Sequence, residues 1–317
     1  MDRMSWIELL LFSKDSSQVL WQKIADELTN LALMEDNPVS LHQETVLPDR
    51  LLSEAAYPLW EEFSHSAPRT SERLINTCSA NDNCAVLILD ALSLRELSLI
   101  VGEAKKRGIE TKTDVTFSEV PSDTNSFAQA LGVSARANLK DDGKSSGFKL
   151  FQGDCYTDVL GIPFADVSFP PKPRLVIWHS FLDEQLHNDR SVAEICSLAK
   201  KEFTGDGFWQ MIDKLRQGRK LIITSDHGYG SAEHFSSEIH DPVAVRFLRT
   251  NFHAHRFAKI SPPQELFLPP FLVFKDGYCV VTGQRKWKTQ SGFPKACHGG
   301  MSLLEVASPW IEIIAHN

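Results

Sequence analysis

Three short apolar runs constrain the fold of this chain more than any other feature of its sequence. They occupy residues 84–89, 175–178 and 221–224, and each leads into polar residues or a helical pattern. Continuous apolar runs of this length are typical of parallel strands that are buried on both faces and connected by helices. The sequence therefore predicts an α/β fold with a doubly wound, mostly parallel sheet and helices on both of its faces.

The segment before the first of these runs has a different pattern. Apolar residues between positions 21 and 32 recur at spacings of three and four, which predicts an amphipathic helix. A second helix is predicted to begin at the Pro48-Asp49 start signal and to continue to about residue 63. We therefore predict a helical N-terminal region at residues 1–80 and one α/β domain at residues 81–317.

The composition excludes several classes of protein. The 317 residues carry a formal net charge of −8, which argues against a general nucleic-acid coat protein, since such proteins are basic. The six cysteines are scattered without a CxxC pair, so they predict free thiols in a reducing compartment. The apolar run at residues 4–12 lacks the flank and cleavage site of a signal peptide, and no stretch approaches the ~20 apolar residues of a membrane span. We expect a cytoplasmic protein without a membrane partner.

Carboxylates and imidazoles follow each of the three apolar runs. Asp90 follows the first, Asp183 and His187 follow the second, and Asp226 and His227 follow the third. Ligands of open α/β sheets bind at the carboxyl ends of the strands, so these side chains are expected to converge there. Asp183 and His187 lie one helical turn apart and can reach one ion, although surface pairs with this spacing are common. Together the three positions predict a metal site.

A histidine beside two glycines adds to this pattern. His298-Gly299-Gly300 suggests a ligand imidazole on a backbone that passes close to the metal. Ser302 and Glu305 have the spacing of a capping box, which predicts that a helix starts shortly after the histidine. The segment therefore predicts one more imidazole ligand, held just ahead of a helix.

The order of these motifs resembles that of the alkaline phosphatase superfamily, and within it most of all the PglZ domain. The matching motifs are Leu-Asp-Ala-Leu at 89–92, Pro-Ser-x-Thr at 121–124, Asp-x-x-x-His at 183–187, Ser-Asp-His-Gly at 225–228 and His-Gly-Gly-x-Ser-x-x-Glu at 298–305. The resemblance extends from about residue 86 to residue 310. PglZ domains occur in bacterial phage-resistance systems, notably those of the BREX type. The resemblance therefore implies a role in antiphage defence beside other defence-system proteins.

The resemblance also implies two divalent metal ions at the carboxyl edge of the sheet. Zinc is the expected metal because it accepts both imidazole and carboxylate ligands, and manganese is the alternative. The residues that match the family's ligands to one ion are Asp183, His187 and His298. Those that match its ligands to the other are Asp90, Asp226 and His227.

A serine or threonine nucleophile is a further implication of the resemblance, and the matching position is Thr124. A hydroxyl attacks phosphorus at neutral pH only when a metal or a base lowers its pKa. Ser122 and Ser126 lie in the same polar stretch and are alternatives. The stretch also has the composition of a helix N-cap, whose free backbone N–H groups could receive a phosphate oxygen.

Three other features have weaker functional interpretations. Members of the PglZ family often carry an arginine three residues after the strand-end aspartate, whereas Arg95 is displaced from that position by two residues. Residues 142–145, Asp-Gly-Lys-Ser, resemble the end of a P-loop but lack its first glycine, so a loop is predicted there. Residues 246–259 interleave basic and aromatic residues, which either line a nucleic acid or form an amphipathic element with its aromatics in the core.

The residues and the resemblance together predict a metal-dependent phosphohydrolase, either a nuclease-like phosphodiesterase or a phosphatase. Its substrate is expected to be a phosphate ester, with nucleic acids and nucleotides among the candidates. The alternative function is a noncatalytic scaffold or sensor subunit of a defence complex, with a partner docked on the helical N-terminal region. A complete set of ligands favours catalysis, because a scaffold has no chemical need for it.

Overall fold

The computed structural model describes residues 16–34, 40–55, 57–140, 147–151, 155–188, 190–253, 255–260, 271–289 and 292–315. The segments 4–12 and 142–145 considered above lie outside the described residues. All six cysteines lie within the described ranges, where they are buried and form no disulfide bond, as the sequence predicts. No helix in those ranges has both the length and the apolar character that crossing a membrane requires.

Eleven strands occur in the described residues. In chain order they are β1 Cys84–Leu89, β2 Thr111–Phe117, β3 Tyr156–Leu160, β4 Arg174–His179, β5 Lys220–Thr224, β6 Ser237–Glu238, β7 Phe257–Ala258, β8 Leu272–Lys275, β9 Tyr278–Val281, β10 Arg285–Lys286 and β11 Ala307–Ile313. Six of them form the central sheet, in the order β2-β11-β5-β1-β4-β3. β1 is parallel to β4 and β5, and β3 is parallel to β4, whereas β11 is antiparallel to both of its neighbours. The predicted mostly parallel sheet is confirmed.

Helices connect and cover these strands. In chain order the α-helices are α1 Ser16–Met34, α2 Leu41–Arg50, α3 Tyr57–Ser66, α4 Thr70–Ser79, α5 Leu97–Lys106, α6 Thr124–Ala130, α7 Phe181–Leu186, α8 Val192–Phe203, α9 Asp206–Arg216, α10 Pro242–Asn251 and α11 Leu303–Val306. Three short 3₁₀ helices lie between them, at Leu94–Glu96, Arg136–Lys140 and Phe164–Asp166.

Alternate residues of β1 point into two separate apolar clusters. Ala85, Leu87 and Leu89 belong to the larger cluster, together with side chains of α1, α5, α8 and α9. Val86 and Ile88 belong to a second cluster, together with side chains of α4 and α6. Every residue of the strand is buried. The strand is apolar throughout because helices cover both faces of the sheet.

Two tryptophans join the N-terminal helices to the sheet. The ring centroid of Trp21 on α1 lies 4.7 Å from that of Phe117 on β2, and the centroid of Trp60 on α3 lies 6.1 Å from it. All three side chains belong to the larger apolar cluster. The described part of the N-terminal region is helical, and the domain boundary at residue 80 stays a prediction.

The predicted helix start at Pro48 is wrong. Helix α2 begins at Leu41 and contains Pro48, and a π-helical turn, Leu51–Ala55, follows before α3. Proline has no N–H, but helical hydrogen bonding resumes beyond it, where Leu51 N–H donates to the carbonyls of Leu47 and Pro48. Because proline is common in the first turn of helices, its position in the sequence resembles a start signal.

A smaller three-stranded sheet has the order β7-β9-β8. β8 and β9 form an antiparallel hairpin, and Asp276 and Gly277 in its turn have φ angles of 51° and 81°. Leu248 and Phe252 of the basic and aromatic segment are buried in the same apolar cluster as this sheet. The described part of that segment therefore forms an amphipathic element rather than a row of exposed aromatic rings.

Ile223 lies on β5, between β1 and β11, and is fully buried. We expect Ile223→Ala to lower the free energy of unfolding by about 2–5 kcal/mol, because it removes buried methyl groups and leaves a cavity. Urea denaturation followed by circular dichroism measures this change. Val243 is 66% exposed, and Val243→Ala should stay within about 0.5 kcal/mol of the wild type. Equal losses in the two variants would contradict the central position of Ile223.

Candidate metal centre

The carboxyl ends of three neighbouring strands bring the predicted ligands together. Asp90 directly follows β1, and Asp226 and His227 come just after β5. Asp183 lies in the first turn of α7, the helix that follows β4. Because β1 lies between β4 and β5 and runs parallel to both, these strand ends meet at one edge of the sheet. His298 reaches the same edge from the loop that precedes α11.

Asp90, Asp226 and His227 form the first group of ligands, which we call the buried cluster. Their candidate ligand atoms all lie within 4.8 Å of one another, and all three residues are 0% exposed. Nδ1 of His227 lies 2.9 Å from the carbonyl oxygen of Gly228. An N–H donated to that oxygen leaves the lone pair of Nε2 directed to a metal. The buried cluster thus has the donor types of a three-ligand metal site.

Asp183, His187 and His298 form the second group, which we call the open cluster. Their candidate ligand atoms also lie within 4.8 Å of one another. Nε2 of His187 lies 3.2 Å from Oδ1 of Asp183, and the His187 side chain is 65% exposed, so this cluster opens to solvent. The His298 ring stacks on that of His227, with their centroids 4.3 Å apart. The two clusters are therefore adjacent parts of one centre.

The hydroxyl of Thr124 lies beside the buried cluster. Its Oγ1 is 3.4 Å from Oδ1 of Asp90 and 3.4 Å from Nε2 of His227. Thr124 is the first residue of α6, and Asp123 caps this helix by accepting a hydrogen bond from the N–H of Ser126. The capped helix start therefore fixes the position of Thr124 next to the candidate ligands.

The two alternative hydroxyls make different contacts. Ser122 is buried, donates through Oγ to the carbonyl of Gly300 at 2.7 Å and accepts from the N–H of Gly299 at 3.1 Å. It thereby ties the Thr124 segment to the loop that carries His298. Ser126 donates its backbone N–H to Oδ1 of Asp123 at 3.0 Å. Of these three hydroxyls, only that of Thr124 has a hydrogen bond to the buried cluster in the described structure.

The close approach of the carboxylates shifts several pKa values. Burial, and then the charge of Asp226, raises the pKa of Asp90 well above its ordinary value. Burial raises the pKa of Asp226 to about 6. Burial, and then the neighbouring His227, lowers the pKa of His298 well below its ordinary value. A divalent cation among these groups favours ionised carboxylates and neutral imidazoles, which are the forms that bind metals.

Two buried atoms of the centre, Oδ2 of Asp226 and Nδ1 of His298, make no hydrogen bond within the described part of the chain. Buried polar atoms nearly always have a partner, so such atoms require an explanation. A carboxylate oxygen and an imidazole nitrogen are both zinc ligands. The orphaned atoms, one in each cluster, therefore fit a pair of divalent metal ions.

The glycines after His298 are required by packing, which differs from the predicted reason of a close approach to metal. Gly299 has a φ angle of 95°, and a Cβ there would lie 2.4 Å from the ring of Phe257. A Cβ on Gly300 would lie 2.5 Å from Nε of Arg256. The predicted capping box of Ser302 is present at the start of α11.

Arg95 lies in a buried network away from the ligands. Its Nη1 donates to the carbonyl of Tyr229 at 2.5 Å, and its guanidinium lies 4.8 Å from the centroid of the Tyr229 ring. The hydroxyl of Tyr229 in turn donates to Glu96 at 2.7 Å. Ser93 is buried and caps the 3₁₀ helix Leu94–Glu96. The contacts of Arg95 thus support the segment that follows β1.

Arg136 is a residue of the centre that sequence reasoning missed. Its Nη1 forms an ion pair with Oδ2 of Asp90 in the buried cluster and lies 3.3 Å from Oδ2 of Asp183 in the open cluster. The side chain is 28% exposed. Arg136 belongs to no motif, and it reaches the centre because its 3₁₀ helix follows α6, which begins at Thr124. The contact of Arg136 with the two clusters is therefore visible in the folded structure but not in the sequence.

Comparisons with known proteins found partial similarity to solved structures but no matching family. A scan against protein-family models finds no match, and a search of curated proteins finds no similar sequence. Similar solved structures include murine ectonucleotide pyrophosphatase/phosphodiesterase 5, which is 13% identical, with a TM-score of 0.49 over 74% of this chain and 88% of that chain. An inactive variant of it in complex with AMP gives 14% identity, the same TM-score and the same coverage. Phosphonoacetate hydrolase from Sinorhizobium meliloti 1021, in complex with phosphonoformate, is 13% identical, with a TM-score of 0.40 over 73% of this chain and 90% of that chain. The roles of the residues therefore rest on the geometry of the site.

Burial raises the pKa of Glu96 to about 7 from an ordinary value of 4.5. The folded protein holds this proton at pH values at which the unfolded chain has lost it, so the contribution of Glu96 to stability falls as the pH rises through this interval. Glu96→Gln removes the titrating carboxyl group and, with it, this contribution to the pH dependence of stability. Between pH 5 and pH 8 its free energy of unfolding should therefore rise relative to that of the wild type, by up to about 3 kcal/mol. Urea denaturation at both values measures the difference, and a pH-independent difference would contradict it. The control is the exposed Glu62, as Glu62→Gln.

Proposed function

We propose that this chain is a metal-dependent phosphohydrolase with Thr124 as its nucleophile. The single observation that carries the proposal is the arrangement of two three-residue ligand clusters side by side, with the Thr124 hydroxyl against one of them. The ligands come from positions as far apart in the sequence as Asp90 and His298. A surface cluster of acidic groups has no need for such convergence or for the burial of three of its members.

The donor set supports two divalent ions, one in each cluster. Each cluster offers three nitrogen or oxygen donors, which leaves a coordination position for substrate or water, as in catalytic zinc sites. Zinc is the proposed metal and manganese the alternative, because both accept carboxylate and imidazole ligands. When bound, such ions lower the pKa of a nearby hydroxyl and neutralise charge on a phosphoryl group.

Thr124 would form a covalent intermediate. Its Oγ1 gives up its proton to the solvent and bonds to phosphorus while the bond from phosphorus to the ester oxygen breaks, and the departing oxygen takes up a proton from the solvent. Water then attacks the phosphothreonine, which restores the Thr124 hydroxyl and releases phosphate or a phosphomonoester. The capped start of α6 holds the hydroxyl in place throughout. The proposed substrates are phosphate esters, with nucleotides and nucleic acids among them.

Arg136 is proposed to bind the phosphoryl oxygens. Its two contacts with the carboxylates both use Nη1, whereas a guanidinium has five donors that match the oxygens of phosphate. The residue contacts both clusters and is partly exposed, so it stands where an anionic ester approaches the centre.

The order of the motifs and the two clusters also support a place in the alkaline phosphatase superfamily, and we propose a PglZ-like role in antiphage defence beside partner proteins. The scaffold alternative is less well supported. A noncatalytic subunit gains nothing from the buried Asp226 and His227 or from a hydroxyl aligned with them.

We expect Thr124→Ala to lower kcat for bis-p-nitrophenyl phosphate or p-nitrophenyl phosphate at least about 10³-fold, because it removes the nucleophile. Thr124→Ser should retain most of the activity. Both variants should bind as much zinc as the wild type, measured by elemental analysis, whereas Asp226→Ala and His298→Ala should each lose zinc and activity. Mass spectrometry of the acid-quenched wild type should find phosphate on Thr124 with the monoester as substrate, and p-nitrophenyl phosphate on Thr124 with the diester.

Full turnover in Thr124→Ala, or no metal-dependent turnover in the wild type, would refute the proposal. Infection assays separate it from the scaffold alternative. Full protection against phage in Thr124→Ala would favour the scaffold function. Loss of protection, with assembly into the defence complex unchanged, would favour catalysis.

Arg136→Ala should raise KM for these esters by about 10–100-fold, the effect of losing hydrogen bonds to a charged group. The inhibition constant of inorganic phosphate should rise in parallel, while the zinc content stays unchanged. Arg136→Lys keeps the charge but not the planar donor pair, so it should recover part of the loss. Arg107 pairs with Asp206 on the surface, and Arg107→Ala serves as the control. Unchanged phosphate inhibition in Arg136→Ala would contradict this role.

A further inference from the structure

The loop that carries His298 is held from within by Glu305. This carboxylate accepts hydrogen bonds from the N–H of Gly300 at 2.9 Å and from the N–H and hydroxyl of Ser302 at 3.1 Å and 2.6 Å. Nε of Arg256 pairs with it at 2.7 Å, and both side chains are buried. These contacts fix the backbone from residue 300 to the start of α11.

A second set of contacts joins this loop to the N-terminal helix α2. Asp49 is 0% exposed and accepts hydrogen bonds from the N–H of Leu303 at 2.9 Å and from Nε2 of Gln284 at 3.1 Å. Leu303 is the first residue of α11, and it comes directly after the N-cap Ser302. Asp49 therefore fixes the end of the His298 loop from outside, across more than 250 residues of sequence.

The N-terminal region also supports the backbone that lies under this loop. A Cβ on Gly283 would lie 2.6 Å from Oγ of Ser53, so the π-helical turn after α2 packs directly on this glycine. The N–H of Gly283 donates to the carbonyl of Met301 at 2.9 Å, and the N–H of Met301 donates to the carbonyl of Val281 at 2.9 Å. The helix, the strand end and the loop are thus connected in series.

We propose that Asp49 is a positioning residue for the metal ligand His298, and that the N-terminal helices are therefore part of the support of the open cluster. This proposal rests on the proposed function, since it takes His298 as a metal ligand. The buried cluster has separate supports, because Asp226 accepts from the N–H of Ala91 at 3.0 Å and Asp90 accepts from Nε1 of Trp178 at 3.0 Å. Loss of Asp49 should therefore weaken the binding of the ion in the open cluster and leave the binding of the ion in the buried cluster unchanged.

Two substitutions separate the hydrogen bonds of Asp49 from its charge. In Asp49→Asn, the new carbonyl accepts from Leu303, and the new NH₂ donates to Oε1 of Gln284 after that amide turns over. This Oε1 is buried and makes no hydrogen bond in the described structure. Asp49→Ala removes both acceptors. A role in positioning therefore predicts that Asp49→Asn restores what Asp49→Ala loses.

The test counts the metal ions that remain on the full-length chain. Each protein is loaded with zinc, desalted and analysed for zinc, and the affinities are measured by competition with a chelator. We expect two ions on the wild type and on Asp49→Asn, and one on Asp49→Ala, with the affinity for the lost ion reduced by about 10–100-fold. His298→Ala should lose the same ion, and Asp226→Ala the other. Ser64 is buried in the same region and its hydroxyl bonds within its own helix, so Ser64→Ala is the control that keeps both ions.

Two ions of unchanged affinity on Asp49→Ala would overturn the positioning role and leave the proposed function intact. Simultaneous loss of both ions would also overturn it, because that result indicates general destabilisation rather than a selective effect. A wild type without any bound zinc or manganese would overturn both proposals. If circular dichroism shows that Asp49→Ala does not fold, Asp49→Ser replaces it. Its hydroxyl is too short to reach both partners, so the same single ion should be lost.

Discussion

Electrostatic repulsion among three carboxylates is the constraint on which the rest of this structure depends. Asp90, Asp183 and Asp226 approach one another at the edge of the sheet, and two of them are completely buried. Removing such charges from water is costly unless a cation or hydrogen bonds compensate them. The surroundings supply part of this compensation through Trp178 and Arg136, and the proposed metal ions would supply the remainder.

The parallel sheet makes this convergence unavoidable. Strands that run in the same direction end at the same edge, and β1, β4 and β5 are direct neighbours. Each apolar strand is fixed by its packing on both faces, so the polar residue that follows it has little freedom of position. The stability of the core and the geometry of the centre are thus two results of the same pairing of strands.

Much of this arrangement could be predicted from sequence, because its causes are local. The apolar composition of residues 84–89 alone predicts a buried strand, and this prediction places Asp90 at the carboxyl end of that strand. The contacts that Asp49, Ser122 and Arg136 make in the folded protein could not be predicted in this way. Each of these residues acts through a contact with residues that are distant in the sequence, and the residues next to it in the sequence do not indicate that contact. Pro48 resembles a helix start for a related reason, since the helix that contains it begins seven residues earlier, at Leu41.

The position of β11 has a consequence for how the chain folds. This strand comes last among the eleven, yet it lies inside the sheet, and within the described residues β2 is joined to the sheet by its pairing with β11. Almost two hundred residues separate β2 from β11 in the sequence, so β2 is synthesised long before the strand with which it pairs. Such long-range pairing slows folding and leaves the hydrogen-bonding edge of β2 unpaired in the interval. The tryptophans of α1 and α3 pack on Phe117 of β2, and both helices precede β2 in the sequence, so an apolar packing partner for this strand is synthesised long before β11.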